Sequence, residues 1–258
     1  MKKYIKLLRI EQWIKNIFVF LPLFFSGSFL HLELFSVSLF AFFIFSFTAS
    51  CIYIINDYID IEADKKHPEK CKRPLASGEI SKSAAKLVFA GLVFLIVFLT
   101  SLAGFLFSID LLYFYLVICA YFIMNIAYTF RLKHIAIVDI SIIALGFVFR
   151  VLAGGYITGI WISQWAILLT FVLALVLAIG KRRGELINSQ INGKTRKALD
   201  GYNIQFADIV LAVSCSLAII CYVMFTLSPD VQSRFNQAER SEERRVGKEC
   251  RSRWSPYH

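Results

Sequence analysis

Charge is scarce in this sequence. Asp, Glu, Lys and Arg make up only 18% of its 258 residues, while 58% are hydrophobic. That balance excludes an ordinary cytosolic, secreted or disordered chain. The six cysteines form no C-x-x-C pair and no framework spacing, which argues against a zinc site or a disulfide scaffold. They read as small apolar residues packed in helices. No small-residue cleavage site follows the basic N-terminus, so Lys2, Lys3, Lys6 and Arg9 do not introduce a signal peptide. Mixed with Ile5, Leu7, Leu8 and Ile10, they predict a basic amphipathic helix on the membrane surface.

What the chain has in abundance is long apolar runs. Mean hydropathy is +0.64, and uncharged stretches cover residues 34–55, 87–109, 111–130, 160–180 and 209–228. Each matches the ~20 residues that cross a hydrocarbon core of ~30 Å. Two further spans are less regular. Residues 17–32 are interrupted by Ser26, Gly27 and Ser28, and residues 135–158 carry Asp139 and Arg150. The expected fold is therefore all-α, a polytopic transmembrane helix bundle of about seven spans.

Nearly all Lys and Arg before Asp230 fall in the N-terminal segment or in the loops after spans 2, 4 and 6. Seven alternating spans put those segments on one side, which the positive-inside rule makes the cytoplasm. The expected location is the inner (plasma) membrane, with the N-terminus and the charged loops cytoplasmic. The opposite loops hold no Lys or Arg and read as plain turns. The end of the chain contradicts this pattern, because residues 237–258 are rich in Arg and lack apolar periodicity. The expected division is a transmembrane domain over 1–235 and a non-native, vector- or adapter-derived tail over 236–258.

The charged residues cluster where chemistry is expected. Asn56, Asp57, Asp60 and Asp64 lie where span 2 meets the cytoplasm; on a continuous helix Asn56, Asp60 and Asp64 share a face, with Asp57 beside them. Carboxylates so spaced repel one another, and a divalent cation relieves the repulsion. Mg²⁺ takes one or two carboxylates and completes its shell with water and substrate phosphate. The following loop carries Lys65, Lys66, Lys70, Lys72 and Arg73. Lys70 and Arg73 are the candidate partners for remaining phosphate oxygens, while His67, before Pro68, helps form the turn.

Further candidates surround the later spans. Tyr128 and Lys133 precede span 5, and Asp139 sits inside it, where a carboxylate is a functional candidate by default. Arg150 lies ~16 Å further along that helix, too far to meet Asp139, and is expected to snorkel to the opposite interface. After span 6, Lys181, Arg182, Arg183 and Glu185 open a basic loop suited to a second anion such as a phosphate headgroup. Trp13, Lys15 and Asn16 form an interfacial belt at span 1 unless Lys15 and Asn16 turn inward.

These motifs in order, N-D-x-x-D-x-x-x-D, H-P-x-K-x-x-R-P and Y-x-x-x-L-K-H, resemble the UbiA-type intramembrane prenyltransferase superfamily. R-x-x-Q-W-x-K-N at 9–16, V-D-I-S and G-F-V-F-R-V-L-A-G-G within 138–155, and K-R-R-x-E at 181–185 are most similar to its decaprenyl-phosphate phosphoribosyltransferase branch. The resemblance implies a nine-span parent, of which this chain carries about seven spans. Members using a prenyl diphosphate donor have a second aspartate-rich motif after span 6. Here that loop offers only Glu185, Asp200 and Asp208, amid six cations.

The resemblance thus implies Mg²⁺-dependent transfer of 5-phosphoribosyl from phosphoribosyl diphosphate to a polyprenyl (decaprenyl) phosphate. The alternative is prenyl transfer from a prenyl diphosphate to an aromatic acceptor, as in quinone synthesis. Asn56, Asp57, Asp60 and Asp64 are then the metal and catalytic set, with Tyr128, Lys133 and Asp139 as further catalytic residues. Lys15, Asn16, Lys70, Arg73, Lys181, Arg182 and Glu185 are expected to bind substrate. The partners are the bilayer, the lipid phosphate and the sugar diphosphate, without nucleic acid; a homo-oligomer is compatible with the sequence.

Overall fold

The computed structural model describes residues 2–130, 132, 135–192, 202–229 and 231–233, with no account of side chains at 189–192. The terminal segment expected to be non-native, and Lys133, lie outside the described residues. Within them the chain is helical, and six helices are long and apolar enough to cross a membrane. They are α3 (Leu32–Ile59), α5 (Lys82–Phe107), α6 (Leu112–Phe130), α7 (Val138–Thr158), α8 (Gln164–Asn192) and α9 (Ile204–Leu227). Three short helices complete the set: α1 (Lys2–Leu8), α2 (Leu21–Phe25) and α4 (Ile61–Lys65).

Their ends follow local chemistry. Ser81 caps α5 by accepting from the Ala84 N–H, and Asn203 caps α9 by accepting from the Phe206 N–H. Gly159, with φ +67, closes α7 in the left-handed conformation that side chains disfavour. The basic N-terminal helix forms as expected. Its Leu7 is fully buried while its lysines stay outside.

The bundle has an inside and an outside. In the most apolar 18-residue stretch of each helix, more than half is buried in α3 and α7, against less than a quarter in α5, α6 and α9. Large apolar side chains such as Leu87, Phe94, Phe105, Ile123, Ile209 and Ile219 remain exposed on those outer helices. In water such surface would drive aggregation; in a bilayer it meets lipid. The core runs through Val37, Ala41, Phe45, Phe114, Tyr121, Ala153 and Ile157, where α3, α6 and α7 meet.

The expected first span is built differently from the others. Residues Ile10–Phe20 form a 3₁₀ helix, followed by α2 and a turn through Ser26 and Gly27. At ~2.0 Å per residue the 3₁₀ segment rises about 22 Å, and α2 brings the path to roughly 30 Å. Sixteen residues thus have the reach of a membrane span without being a regular α-helix. The segment docks on α7 at Gly154, where a Cβ would lie 1.9 Å from the Val19 carbonyl oxygen and 3.3 Å from Pro22. Only glycine permits that approach.

Candidate active site

The acidic motif sits on a kinked helix end. Helix α3 stops at Ile59 and α4 begins at Ile61, yet the Asp60 N–H still donates to the Asn56 carbonyl at 3.0 Å. The Asp64 N–H likewise donates to the Asp60 carbonyl at 2.8 Å, so helical spacing survives the bend. The consequence differs from the expected grouping. Asp57 and Asp64, seven residues apart, are the buried pair at 2% exposure each, while Asp60 is half-buried one turn away.

Arginines join the two carboxylates. Arg73 Nη1 donates to Asp57 Oδ1 at 3.1 Å and to Asp64 Oδ2 at 2.6 Å. Lys70 Nζ lies 3.8 Å from Asp64 Oδ1, so both cations singled out in the loop reach the site. Arg9 Nη2 donates to Asp57 Oδ1 at 2.5 Å, and its guanidinium stacks over Tyr53. Arg9 was not among the expected binding residues. It reaches the site from 48 positions away, and its own backbone is left-handed, at φ 50 and ψ 50, between α1 and the 3₁₀ segment. His67 forms the turn: its Nδ1 accepts from the N–H groups of Glu69 and Lys70.

The donor set fits a hard divalent cation that relies on substrate. Asp57 and Asp64 offer two carboxylates on one site, with Asn56 and Asp60 on the adjoining turn, and Mg²⁺ commonly takes one or two protein carboxylates and phosphate oxygens. Among the described residues no three Asp, Glu, His or Cys side chains converge. An all-protein cage is therefore absent there.

A second polar cluster forms where α7 begins. Asp139, 2% exposed, accepts from Arg182 Nε at 3.0 Å and Nη2 at 2.6 Å, and from the Tyr202 hydroxyl at 2.5 Å. Arg182 Nη1 also donates to Glu185 Oε2 at 2.7 Å, and the Ile137 N–H donates to the Tyr202 oxygen at 2.7 Å. Burial, and the carboxylate beside it, push the Tyr202 hydroxyl up to about 12. Arg183 pairs with Asp208. Arg182 and Glu185, expected to hold substrate, are thus engaged with each other and with Asp139. Lys181 stays exposed beside them, and Tyr128 is half-buried at the end of α6.

Two expectations about the first span and α7 change. Lys15 is accessible but Asn16 turns inward, 1% exposed, donating from Nδ2 to Ser46 Oγ at 2.8 Å. Arg150 does not snorkel to the opposite interface. It is buried, and its Nε donates to Asn16 Oδ1 at 2.8 Å. Asn16 supplies a local polar partner in the bundle, so the guanidinium need not reach water.

Comparison with known proteins agrees with this architecture. The UbiA prenyltransferase family profile matches residues 17–184. A decaprenyl-phosphate phosphoribosyltransferase of Mycolicibacterium smegmatis is 36% identical over 236 residues, covering 88% of this chain and 70% of the relative. The protein of that name from Mycobacterium tuberculosis is 34% identical, covering 88% and 74%. Among solved structures, a UbiA homolog from Archaeoglobus fulgidus bound to DMAPP and Mg²⁺ superposes with a TM-score of 0.66 at 20% identity. That match covers 90% of this chain and 81% of the homolog.

Proposed function

Because the chain belongs to the UbiA prenyltransferase family, we propose that this membrane-embedded transferase moves 5-phosphoribosyl from phosphoribosyl diphosphate to a polyprenyl phosphate. The reaction takes place at the cytoplasmic face of the inner membrane. The observation that carries the choice of donor is the state of the acidic residues after the sixth span. Among the described residues Asp57 and Asp64 converge on one site, sharing Arg73, whereas Glu185 and Asp208 pair with separate arginines, Arg182 and Arg183. The names of the relatives support the same reading.

In this mechanism Asp57 and Asp64, helped by Asn56 and Asp60, hold Mg²⁺. The metal, when bound, offsets charge on the departing diphosphate. Arg73, released from its two carboxylates, and Lys70 donate to diphosphate oxygens, stabilising charge as the bond from the anomeric carbon breaks. Arg9 keeps Asp57 oriented. A phosphate oxygen of the acceptor forms the new bond to that carbon; being anionic already, it needs positioning more than a general base. Lys181, exposed at its position in α8, draws it in. The Asp139–Arg182–Tyr202 cluster fixes the start of α7 and the approach to α9, and Tyr128 lies in the last turn of α6.

The test is product analysis. Membranes containing the protein, given phosphoribosyl diphosphate, a polyprenyl phosphate and Mg²⁺, should yield a lipid heavier by one phosphoribosyl unit in mass spectrometry. Prenylated product from a prenyl diphosphate and an aromatic acid, with no phosphoribosyl lipid, would sink the proposal.

A further inference from the structure

Among the described residues Arg150 is a buried cation without a buried anion. It is 6% exposed, in the middle of α7, about 16 Å of helix beyond Asp139. Its Nε donates to Asn16 Oδ1, its Nη1 to the Gly146 carbonyl at 2.6 Å and its Nη2 to the Tyr121 hydroxyl at 3.3 Å. The rings of Phe45, Tyr121 and Phe147 lie 5.0, 5.4 and 5.4 Å from the guanidinium carbon. Gly146 makes room for the group, since a Cβ there would lie 3.3 Å from Nη1. All these partners are neutral. Among the described residues no carboxylate pairs with Arg150, and these three bonds leave two of its five N–H groups uncommitted.

A guanidinium buried inside a membrane bundle is costly, and neutral partners reduce that cost without removing the charge. Here other cations add to it. Lys15 lies within electrostatic range of Arg150, Arg9 and Lys181, and Tyr53, under the Arg9 guanidinium, lies within range of Arg150. Of these cations Arg9 has the carboxylate, Asp57. Arg9 and Tyr53 thus adjoin the acidic site, and Lys15 is the chain neighbour of Asn16, to which Arg150 donates, so positive charge is in excess around Arg150. A mere tie between the 3₁₀ segment and α7 needs no charge, whereas a ligand anion would balance it.

We propose that Arg150 and Lys15 form a phosphate-monoester subsite near the acidic site. The assignment rests on the transferase reading, in which both substrates carry such a group: the 5-phosphate of the donor and the phosphate of the lipid. Arg150 supplies a guanidinium pre-oriented by Asn16 and Gly146, and Lys15 supplies an accessible point charge.

Equilibrium binding to the full chain in nanodiscs tests the subsite without turnover. The probes are ribose 5-phosphate, neutral ribose, and polyprenyl phosphate supplied in the bilayer. The donor source is indicated if ribose 5-phosphate binds and ribose does not, and the lipid source if polyprenyl phosphate alone binds. In either case Arg150→Gln and Lys15→Gln should each weaken that binding roughly 10-fold or more. If Arg150→Gln fails to fold, Lys15→Gln, at an accessible position, carries the test alone. Unchanged binding of both phosphates in the variants that fold, or no binding of either to the parent, overturns the subsite. A protein that binds phosphate through these residues yet makes no phosphoribosyl lipid refutes the transferase reading and leaves the subsite standing. Product formation by the variants with parental KM for both substrates does the reverse.

Discussion

The two carboxylate clusters use the same residue types to opposite ends. At the α3–α4 end, Asp57 and Asp64 are buried, but the arginines that reach them, Arg9 and Arg73, keep side chains 23% and 26% exposed. At the start of α7, Asp139 is equally buried, but its partner Arg182 is 12% exposed and shared with Glu185, while Tyr202 closes the remaining side. Cations with access to water can leave a carboxylate and pair with something else. Cations sealed against it cannot, because separation leaves a charge buried and unpaired. The first cluster is built for exchange and the second for permanence.

That contrast breaks most sharply at Asp139. Asp139→Ala removes two of the hydrogen bonds of Arg182 and the acceptor of Tyr202, leaving Arg182 its pair with Glu185. It should lower stability by about 3 kcal/mol, read as a large drop in melting temperature in detergent. If the melting temperature holds, the second cluster is not the fixed one. Asp57→Asn should do the converse, reducing the proposed phosphoribosyl transfer about 100- to 1,000-fold with little thermal effect, since the proposed metal and diphosphate would lose a carboxylate. A matching loss of stability would erase the distinction between the sites.

Tyr202→Phe sharpens the comparison with a smaller effect. It removes one donor to Asp139 and should cost about 1–3 kcal/mol. The tyrosine also predicts a pH dependence. Its hydroxyl titrates ordinarily near 10 and is raised to about 12 in the fold, so the folded protein favours the neutral form. The stabilisation it gives is full below about pH 10 and fades as pH climbs towards 12. Unfolding followed over that window should decline in the parent and less steeply in Tyr202→Phe; parallel curves would disprove the link. Smallest of all, Glu62→Gln breaks a pair with Lys65 that is exposed on both sides, and neither melting temperature nor turnover should move measurably.

Sequence reading found the first cluster more readily than the second, for a physical reason. Asp57, Asp64, Lys70 and Arg73 lie within two turns and a short loop, and helical spacing brings local residues together. Hydropathy likewise marked α3, α5, α6, α8 and α9, because crossing a bilayer demands continuous apolar length. Arg9 to Asp57, Tyr202 to Asp139 and Asn16 to Arg150 span 48, 63 and 134 residues, and no periodicity encodes such pairings. Arg150 was misplaced for that reason. The snorkelling expectation considered only its own helix, whereas the partner came from the 3₁₀ segment. The irregular build of that segment was visible only as interruptions at Ser26, Gly27 and Ser28.

The union of the 3₁₀ segment with α7 also has a timetable. Asn16 leaves the ribosome 134 residues before Arg150, and Gly154, against which Val19 is pressed, emerges later still. At about 5–20 residues per second, the first segment waits roughly 7 to 27 seconds for the helix that satisfies it. During that interval the buried amide of Asn16 has no guanidinium to accept from. The 3₁₀ segment is thus made well before the helix that completes its contacts, and slowing translation after α6 would lengthen its exposure to quality control.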